Sequence, residues 1–352
     1  MLETIVPFST VKIATTKSQS FIHLGEKKDS LIQLNSLSSI GDCRRFQHLL
    51  PSSSLDHFDL IFVAPLQADF DPSLKDIRYL IPDADSYNTY FFSEYNDSLD
   101  KPFDFHTGIG RGRDGMFFVD IPFSRSKKIL QMYDLKKDKY SVCYIAETIV
   151  NSRSCYKSFF EMIAKKYRAS SSFSIVVPEW IAKDIKDKGV CKEYKKYFST
   201  IVVVTKTDKK VYEYKDDGYN NTLYIRGDIF PVPNHEMMIV LKNSADDILL
   251  TGDQSITDAL SCCPRKNIWY QIAPWKEGYA KELARLLPNK YYKSKKTSCG
   301  TMTALSLRSD YRKFVTEWDF RKCAKGRLTK IVNLAISRKN DRSVRRIFEE
   351  LK

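Results

Sequence analysis

Short apolar runs rich in β-branched and aromatic residues alternate with amphipathic segments along the chain. This alternation is typical of the strands and helices of a parallel α/β sheet. The predicted strands are Leu31–Asn35, Phe58–Ala64, Tyr90–Phe92, Met116–Ile121, Tyr140–Ala146, Phe173–Val177, Thr200–Thr205, Asn221–Ile225, Ile248–Leu250 and Ile268–Ile272. The predicted helices, in which apolar residues recur at helical spacing, include Cys155–Tyr167, Trp180–Lys188, Asn234–Ser244 and Lys276–Leu287.

The polar stretch Arg168–Ser172 interrupts the alternation, which restarts directly after it. We therefore predict an N-terminal Rossmann-like domain over residues 1–170 and a second Rossmann-like domain over residues 171–308. Residues 309–352 are predicted to form a basic helical tail. The expected fold class is α/β, with two Rossmann-like domains that face a cleft.

The composition is that of a soluble globular protein, with 43% hydrophobic and 28% charged residues. No apolar run approaches the roughly 20 residues that a membrane-spanning helix needs. The first residues of the chain lack the charged and apolar regions of a secretory signal. None of the eight cysteines forms a CxxC pair, and no Cys/His spacing is typical of a zinc site. We therefore expect reduced thiols and a cytoplasmic location.

Most of the net charge of +14 lies at the C-terminal end of the chain. Residues 288–352 contain 18 Lys or Arg and 6 Asp or Glu, so they carry +12 of that charge. A concentrated basic segment fits an anionic partner such as nucleic acid, an anionic membrane or a phosphorylated substrate. The alternative is an ordinary solvated helix surface.

The first candidate site is the Gly41-Asp42 turn, which follows the first predicted α/β strand. In open α/β sheets ligands bind beyond the carboxyl ends of the strands, near helix N-termini that favour anions. Gly41 would allow a tight turn, and Asp42 would then point into the cleft. The alternative is that Asp42 is only a helix N-cap, a role that this residue type favours.

The second candidate site is the turn between the predicted strand Ile248–Leu250 and the next helix. Small and polar residues at such a joint present backbone N–H groups and hydroxyls to a diphosphate. The residues with these groups are Gly252, Asp253, Gln254 and Ser255. Helix capping by Asp253 or Ser255 is the alternative interpretation.

The third candidate site is the loop Gly108–Gly115, which holds four of the 13 glycines of the chain. Two arginines lie between the glycines, so the loop could wrap a phosphate or an acceptor group. It is neither a Walker loop nor a dinucleotide fingerprint, and a flexible turn between strands is the alternative. The candidate residues are His106, Gly108, Gly110, Arg111 and Arg113.

Two pairs of carboxylates match the DxD pattern that holds a divalent metal in some sugar transferases. The pairs are Asp69 with Asp71 and Asp83 with Asp85. A pattern this short arises easily by chance, and the second pair follows Pro82, which is typical of a turn.

Two segments of the chain resemble a known family. Residues 31–42, which end in Gly41-Asp42, resemble the opening strand and Gly-Asp turn of heptosyltransferase-like GT-B glycosyltransferases. Residues 246–260 are similar to the donor-site segment of GT-B enzymes, including the Gly-Glu-Asp-Ser segment of bacterial arginine rhamnosyltransferases. The segment here reads Gly-Asp-Gln-Ser, so it has one carboxylate where that segment has two.

The resemblance implies an inverting glycosyltransferase that moves a sugar from a nucleoside-diphosphate sugar to an acceptor, a glycan or a protein. Asp42 would be the catalytic base. The second domain would bind the nucleotide sugar through residues 252–255 and Lys276. GT-B enzymes generally work without a bound metal, so the resemblance implies neither a metal nor a further cofactor.

Two other classes of function stay open. The basic segment 288–352 could bind nucleic acid or an anionic membrane, with the sheets as a scaffold. The DxD pairs could instead hold the divalent metal of a phosphoryl or nucleotidyl transferase.

Overall fold

The structure, a computed structural model, divides the chain into two compact units, Met1–Phe117 with Thr316–Lys352 and Phe118–Val315. The residues that it describes are 13–15, 31–33, 60–66, 74–78, 81–95, 98–117, 126–149, 152–189, 195–214, 220–263, 266–273, 276, 278–280, 282, 292–297, 300–306 and 328–331. None of the helices within these residues has the length and apolar character needed to cross a membrane.

The described part of the first unit contains two pairs of parallel strands. β1 (Ile13–Thr15) pairs with β2 (Leu31–Gln33), and β3 (Ile61–Leu66) pairs with β4 (Thr89–Ser93). Helix α1 (Leu74–Arg78) lies between β3 and β4 in the chain. Parallel neighbours need a crossover connection of this kind because each strand ends at the edge opposite to the start of the next.

Aromatic rings fill the core of the first unit around β4. Phe92 stacks on Phe105 with ring centroids 4.1 Å apart, and Tyr90 meets Phe105 edge-on at 6.3 Å. The chain after β4 returns alongside the strand, where the backbone N–H of Thr107 donates to Ser93 Oγ at 3.0 Å. These contacts anchor the segment that leads into the glycine-rich loop.

One sheet of nine strands forms the centre of the second unit. In chain order the strands are β5 (Tyr140–Tyr144), β6 (Ser172–Val176), β7 (Thr200–Val204), β8 (Lys209–Glu213), β9 (Thr222–Arg226), β10 (Asp247–Thr251), β11 (Asn267–Gln271), β12 (Tyr292–Thr297) and β13 (Gly300–Ser306). Their order across the sheet is β12-β13-β11-β10-β5-β6-β9-β7-β8.

Six of the nine strands, from β11 through β10, β5, β6 and β9 to β7, are mutually parallel. β8 is antiparallel to β7, and β13 is antiparallel to β11. β12 is antiparallel to β13, so it runs in the same direction as β11. The inner strands are nearly continuous apolar runs because both faces of a parallel sheet are covered.

Helices cover both faces of this sheet. They are α2 (Ser126–Met132), α3 (Ser152–Tyr167), α4 (Glu179–Lys188), α5 (Asn234–Asn243) and α6 (Asp253–Cys262). α3 and α4 bury their apolar stripes on one face, against side chains such as Cys143 and Ile175. Tyr140 points to the opposite face because side chains alternate along a strand. Its hydroxyl donates to the carbonyl oxygen of Val240 in α5 at 2.7 Å.

The predicted mixed α/β class is confirmed. The inner strands from residue 140 to residue 271 begin and end within two residues of the predicted positions. Strands β8, β12 and β13 were not predicted, because their lysine-rich or polar sequences lack the apolar runs of the inner strands. Met116 and Phe117 do not lie in a strand, and residues 118–121 of that predicted strand lie outside the described residues.

The domain boundary predicted at residue 170 falls inside the nine-stranded sheet. β5 and β6 lie on either side of that boundary and pair in parallel register, with Tyr140 opposite Ser174. The polar stretch Arg168–Ser172 is a tight turn that leads from α3 directly into β6. Linkers and tight turns share the same polar residues, which is why the composition indicated a linker there. Within the predicted basic tail 309–352 the structure describes only residues 328–331, which are helical.

Substitution of Gly227 by alanine is expected to destabilise the second unit. A Cβ atom at this position would lie 2.4 Å from Ala182 Cβ and 3.2 Å from the Val204 carbonyl oxygen, so α4 or β7 would have to shift. Overpacking of this kind costs about 1–3 kcal/mol. Urea denaturation followed by circular dichroism measures the change in the free energy of unfolding.

Gly278→Ala is the matched control. A Cβ atom at Gly278 would meet no atom within 4 Å, and the residue is helical. Alanine is the better helix former, so this variant is expected to keep the wild-type stability or gain up to about 1 kcal/mol. Equal losses in the two variants would contradict the close approach of α4 at Gly227.

Candidate functional site

The order of the strands reverses at β5. β6, β9, β7 and β8 lie on one side of β5, whereas β10, β11, β13 and β12 lie on the other side. β5 and β10 are parallel neighbours, so their carboxyl ends open at the same edge of the sheet. Ligands of open α/β sheets bind in the crevice outside the strand ends at such a switch point. We name this region the switch-point edge; residues 145–149 and 251–253 border it.

An ion pair lies at the switch-point edge beside the end of β10. Lys276 Nζ is 2.7 Å from Asp253 Oδ2, and the two side chains are 9% and 22% exposed. Asp253 is the first residue of α6, and Lys276 follows β11 in a helical turn in which its N–H donates to the Ala273 carbonyl at 2.9 Å. The sequence assigned both residues to donor binding, and the structure brings their charged groups into contact.

The start of α6 is shaped by a glycine. Gly252 occupies the N-cap position with a φ of 88°, a left-handed conformation that side chains rarely adopt. Asp253 is therefore inside the first turn instead of capping it, and its Oδ1 accepts the backbone N–H of Gln254 at 2.7 Å. A carboxylate in this turn is stabilised by the helix dipole. Ser255 is half-buried in the same turn.

A hydrogen-bond network joins the ends of β5, β10 and β11. Thr251 Oγ1 donates to Gln271 Oε1, and Gln271 Nε2 donates to Ser152 Oγ at 3.0 Å. Ser152 Oγ in turn lies 2.6 Å from the carbonyl oxygens of Ala146 and Ile149. Ser152 is the first residue of α3, so the network holds the turn between β5 and α3 in place. Loss of one partner would leave buried polar groups unsatisfied at a cost of about 1–3 kcal/mol each.

A buried tyrosine stands close to the ion pair. Tyr270, in β11, is 1% exposed, and its ring centroid is 6.2 Å from that of Tyr279 in an edge-on contact. Burial, and after it the negative charge of Asp253, raises the pKa of Tyr270. The phenol is therefore protonated at neutral pH, and it adds no charge to the site.

A second ion pair lies at the carboxyl end of β9, on the same edge of the sheet. Arg226 Nε and Nη2 each lie 2.8 Å from a carboxylate oxygen of Asp228, and Nη2 also donates to the Tyr133 carbonyl at 3.2 Å. The hydrogen bond to Asp228, opposed by burial, raises the pKa of Arg226. The next turn places Phe230 edge-on to Tyr144 at the end of β5, with ring centroids 5.1 Å apart. This side of the edge is therefore both charged and aromatic.

The glycine-rich loop belongs to the first unit, whereas Asp253 and Lys276 belong to the second. Gly108 and Gly110 are buried and have φ angles of 125° and 119°, which only glycine adopts readily. The N–H of Gly108 donates to the carbonyl of Gly115 at 2.9 Å. The loop is thus a compact turn closed by its own backbone.

Asp114 ties the two ends of this loop together. Asp114 Oδ2 accepts the backbone N–H of His106 at 2.8 Å, and the Asp114 N–H donates to the His106 carbonyl at 2.8 Å. Arg113 is half-buried, whereas Arg111 is exposed. The five residues that the sequence singled out therefore lie in or next to a turn closed by its own backbone and by Asp114.

The remaining predicted positions divide into two groups. Asp42 and the Asp69–Asp71 pair lie outside the described residues. Asp85 lies in the turn before β4, where its Oδ1 accepts the Ser86 N–H at 2.6 Å and is 3.4 Å from Arg78 Nη2. Within the described part of the chain, no group of three or more His, Cys, Asp or Glu side chains is placed to hold a metal ion.

Sequence reasoning missed the polar residues that organise the edge. Gln271 and Ser152 are buried, and Arg226 is 14% exposed at its side chain. The signal that could have found Gln271 and Arg226 is their position at the ends of apolar strands, because polar residues in such places need specific partners.

No protein-family model matches the sequence, and the search of curated proteins finds no match. The geometry of the switch-point edge and the order of the strands therefore carry the functional interpretation.

A double-mutant cycle on Asp253 and Lys276 tests the ion pair. Lys276→Met is expected to destabilise the protein by about 1–3 kcal/mol, because it leaves a partly buried carboxylate without its counter-charge. Asp253→Asn in the same chain should restore part of that loss, which gives a coupling free energy of about 1–2 kcal/mol. Urea denaturation of the four proteins provides the free energies.

Glu179 and Lys183 provide the control cycle. Their charged groups are 3.0 Å apart on the surface of α4, with side chains 25% and 57% exposed. Exposed helix pairs at this spacing contribute about 0.3–0.5 kcal/mol. A coupling free energy between Asp253 and Lys276 no larger than that of the control pair would show that the buried pair is not formed in solution.

Proposed function

We propose that this chain is a methyltransferase that uses S-adenosylmethionine and methylates a hydroxyl group of an anionic acceptor. The observation that carries the proposal is the order and direction of the strands. In the series β9-β6-β5-β10-β11-β13-β12 the antiparallel β13 is inserted between two strands of the parallel direction. Rossmann-like methyltransferases share this arrangement, whereas the dinucleotide-binding Rossmann sheet is mostly parallel with no such insertion.

The switch-point edge supports a nucleoside-containing donor. Tyr144, half-buried at the end of β5, offers an aromatic ring for a purine base, and the buried Phe230 in the turn after β9 supports that ring edge-on. The turn after β5 is held by Ser152, so backbone groups of residues 145–149 are fixed in place for hydrogen bonds to a ligand. Residues 145–151 contain no glycine, so the donor would contact this turn without the glycine fingerprint of dinucleotide sites.

The ion pair supplies the chemistry of the proposed transfer. The acceptor oxygen attacks the methyl carbon of the sulfonium, the carbon–sulfur bond breaks, and S-adenosylhomocysteine leaves. Asp253 takes the proton that the acceptor oxygen loses. The Lys276 ammonium, held against Asp253 at 2.7 Å, stabilises the negative charge that develops on that oxygen.

Charge favours a nucleic acid as the acceptor. Residues 288–352 carry a net charge of +12, and phosphate groups are the strongest natural complement to such a segment. The ribose of RNA offers a hydroxyl group of the kind that the proposed chemistry needs.

Glycosyl transfer from a nucleoside-diphosphate sugar is the second candidate. It is favoured by the placement of the turn 252–255 and Lys276 together at one carboxyl edge, as the GT-B resemblance implied. That reaction would use Asp42 as its base and a second Rossmann-like sheet. The strands described in the first unit are two separate pairs, so the second unit by itself accounts better for methyl transfer.

A thermal-shift comparison of donors separates the two candidates. A donor at 100 times its dissociation constant adds about 2.7 kcal/mol to the stability of the folded protein. S-adenosylmethionine and S-adenosylhomocysteine are expected to raise the melting temperature, whereas UDP-, GDP-, ADP- and TDP-sugars are expected to leave it unchanged. The shift is measured on the full chain by calorimetry.

Free methionine and adenosine, each tested alone, are the controls for this comparison. Each contains only part of the donor, so each should give a smaller shift. A shift with a nucleotide sugar and none with S-adenosylmethionine would replace methyl transfer with glycosyl transfer. No shift with any donor would contradict both.

A further inference from the structure

The β7–β8 hairpin extends the sheet beyond the strands on which the proposed function rests. β7 pairs with β9, and β8 pairs only with β7 and forms the end of the sheet as described. The outer backbone groups of such an edge strand are open to a partner, and lysines commonly protect these strands against aggregation. One charged side chain is enough to protect an edge strand in this way, but the hairpin and the turn before it carry several lysines.

Five lysines lie in the hairpin or in the turn that leads into it. Residues 195–214 contain five Lys against two acidic residues. The lysines are Lys195, Lys196, Lys206, Lys209 and Lys210. All are exposed except the half-buried Lys195, and none has a carboxylate partner among the described residues.

This segment contains only two acidic side chains, and one of them is already paired with a lysine. Asp208, in the turn of the hairpin, pairs with Lys186, and Thr205 Oγ1 also donates to its carboxylate at 2.6 Å. Glu213 is the other acidic residue of the segment. Lys210 Nζ donates to the Lys186 carbonyl at 3.1 Å, a contact that leaves its charge without a counter-ion, so the edge keeps an excess of positive charge.

Tyrosine rings lie between the lysines. Lys210 Nζ is 4.9 Å from the centre of the Tyr212 ring, and Lys195 Nζ is 5.3 Å from that of Tyr214. Both rings are half-buried, since one side packs on the core of the unit. Lysines interleaved with partly exposed aromatic rings are the combination that single-stranded nucleic acids bind, through phosphates and stacked bases.

We propose that the β7–β8 edge is a docking surface for single-stranded nucleic acid. β8 is five residues long, about 17 Å, with Lys209 and Lys210 at its start and Lys195 against Tyr214 just beyond its end. A phosphate backbone lying along the strand can contact lysines at both ends. An anionic membrane fits less well, because Val211, 48% exposed, is the one large hydrophobic side chain that is exposed in the described residues of the hairpin.

The position of the hairpin relates this surface to the switch-point edge. β8 is antiparallel to β7, with Lys209 opposite Val204, so Lys206 and Lys209 stand at the carboxyl edge of the sheet. Five strand spacings separate β8 from β10, a distance of about 24 Å. A strand bound at the hairpin can thus continue along the edge toward Asp253. The docking proposal holds independently of the reaction at that residue.

The test is the salt dependence of binding to a fluorescein-labelled oligouridylate, measured by fluorescence anisotropy on the full chain. The edge variant replaces three lysines of the proposed surface by glutamine: Lys196→Gln/Lys206→Gln/Lys209→Gln. The matched control replaces three exposed lysines at α2 and the following turn: Lys127→Gln/Lys136→Gln/Lys137→Gln. Each phosphate contact contributes about −0.7 to the slope of log K against log salt for single strands. The edge variant is therefore expected to lose about 2 from the magnitude of the slope, and the control to keep the wild-type slope.

Three outcomes would contradict the proposal. Equal changes in both variants would mean that net charge alone governs binding. An unchanged slope in the edge variant would assign binding to the basic segment 288–352. Tighter binding of the wild-type protein to phosphatidylserine vesicles than to the oligonucleotide, lost in the edge variant, would assign the surface to a membrane. Circular dichroism of both variants checks that the fold is retained.

Discussion

The parallel pairing of β5 with β10 is the constraint on which the rest of the structure depends. The chain builds β6 to β9 on one side of β5 and then returns to add β10 on the other side. Because the two neighbours run in the same direction, the turns that follow them must open at the same edge. Every group assigned to the proposed reaction is held at or next to that edge.

Buried polar contacts turn this opening into a defined site. The network from Thr251 through Gln271 to Ser152 ties three strand ends together, so the turn after β5 cannot move independently of the turn after β10. The ion pair of Asp253 and Lys276 adds a pair of charges that are largely removed from water. Charged groups held in such a place act strongly on a reacting atom, because little solvent screens them and they need not reorganise.

The sequence was sufficient for the inner strands but not for how they are arranged. Apolar runs such as Val202–Val204 are typical of buried parallel strands, because helices cover both faces of a parallel sheet. The sequences of these strands do not show which strands are neighbours in a sheet. The polar turn at Arg168–Ser172 therefore indicated a linker between two sheets. β12 and β13 were missed because a hairpin at the end of a sheet tolerates lysines and threonines.

The candidate site was predictable in part. Asp253 and Lys276 could be chosen because each follows an apolar strand, where the carboxyl edge lies in a parallel sheet. Their contact could not be predicted, since it depends on β10 and β11 being neighbours. Gln271 and Ser152 bond to each other although they are 119 residues apart in the chain, and the local sequence pattern carries no information about such a pair.

The most direct test of the proposed methyl transfer is a crystal structure of the full chain with S-adenosylhomocysteine. We expect the nucleoside to lie in the crevice outside the carboxyl ends of β5 and β9, with the thioether sulfur directed toward Asp253 and Lys276. A ligand bound elsewhere on the protein, or a switch-point edge left empty at saturating ligand, would contradict it.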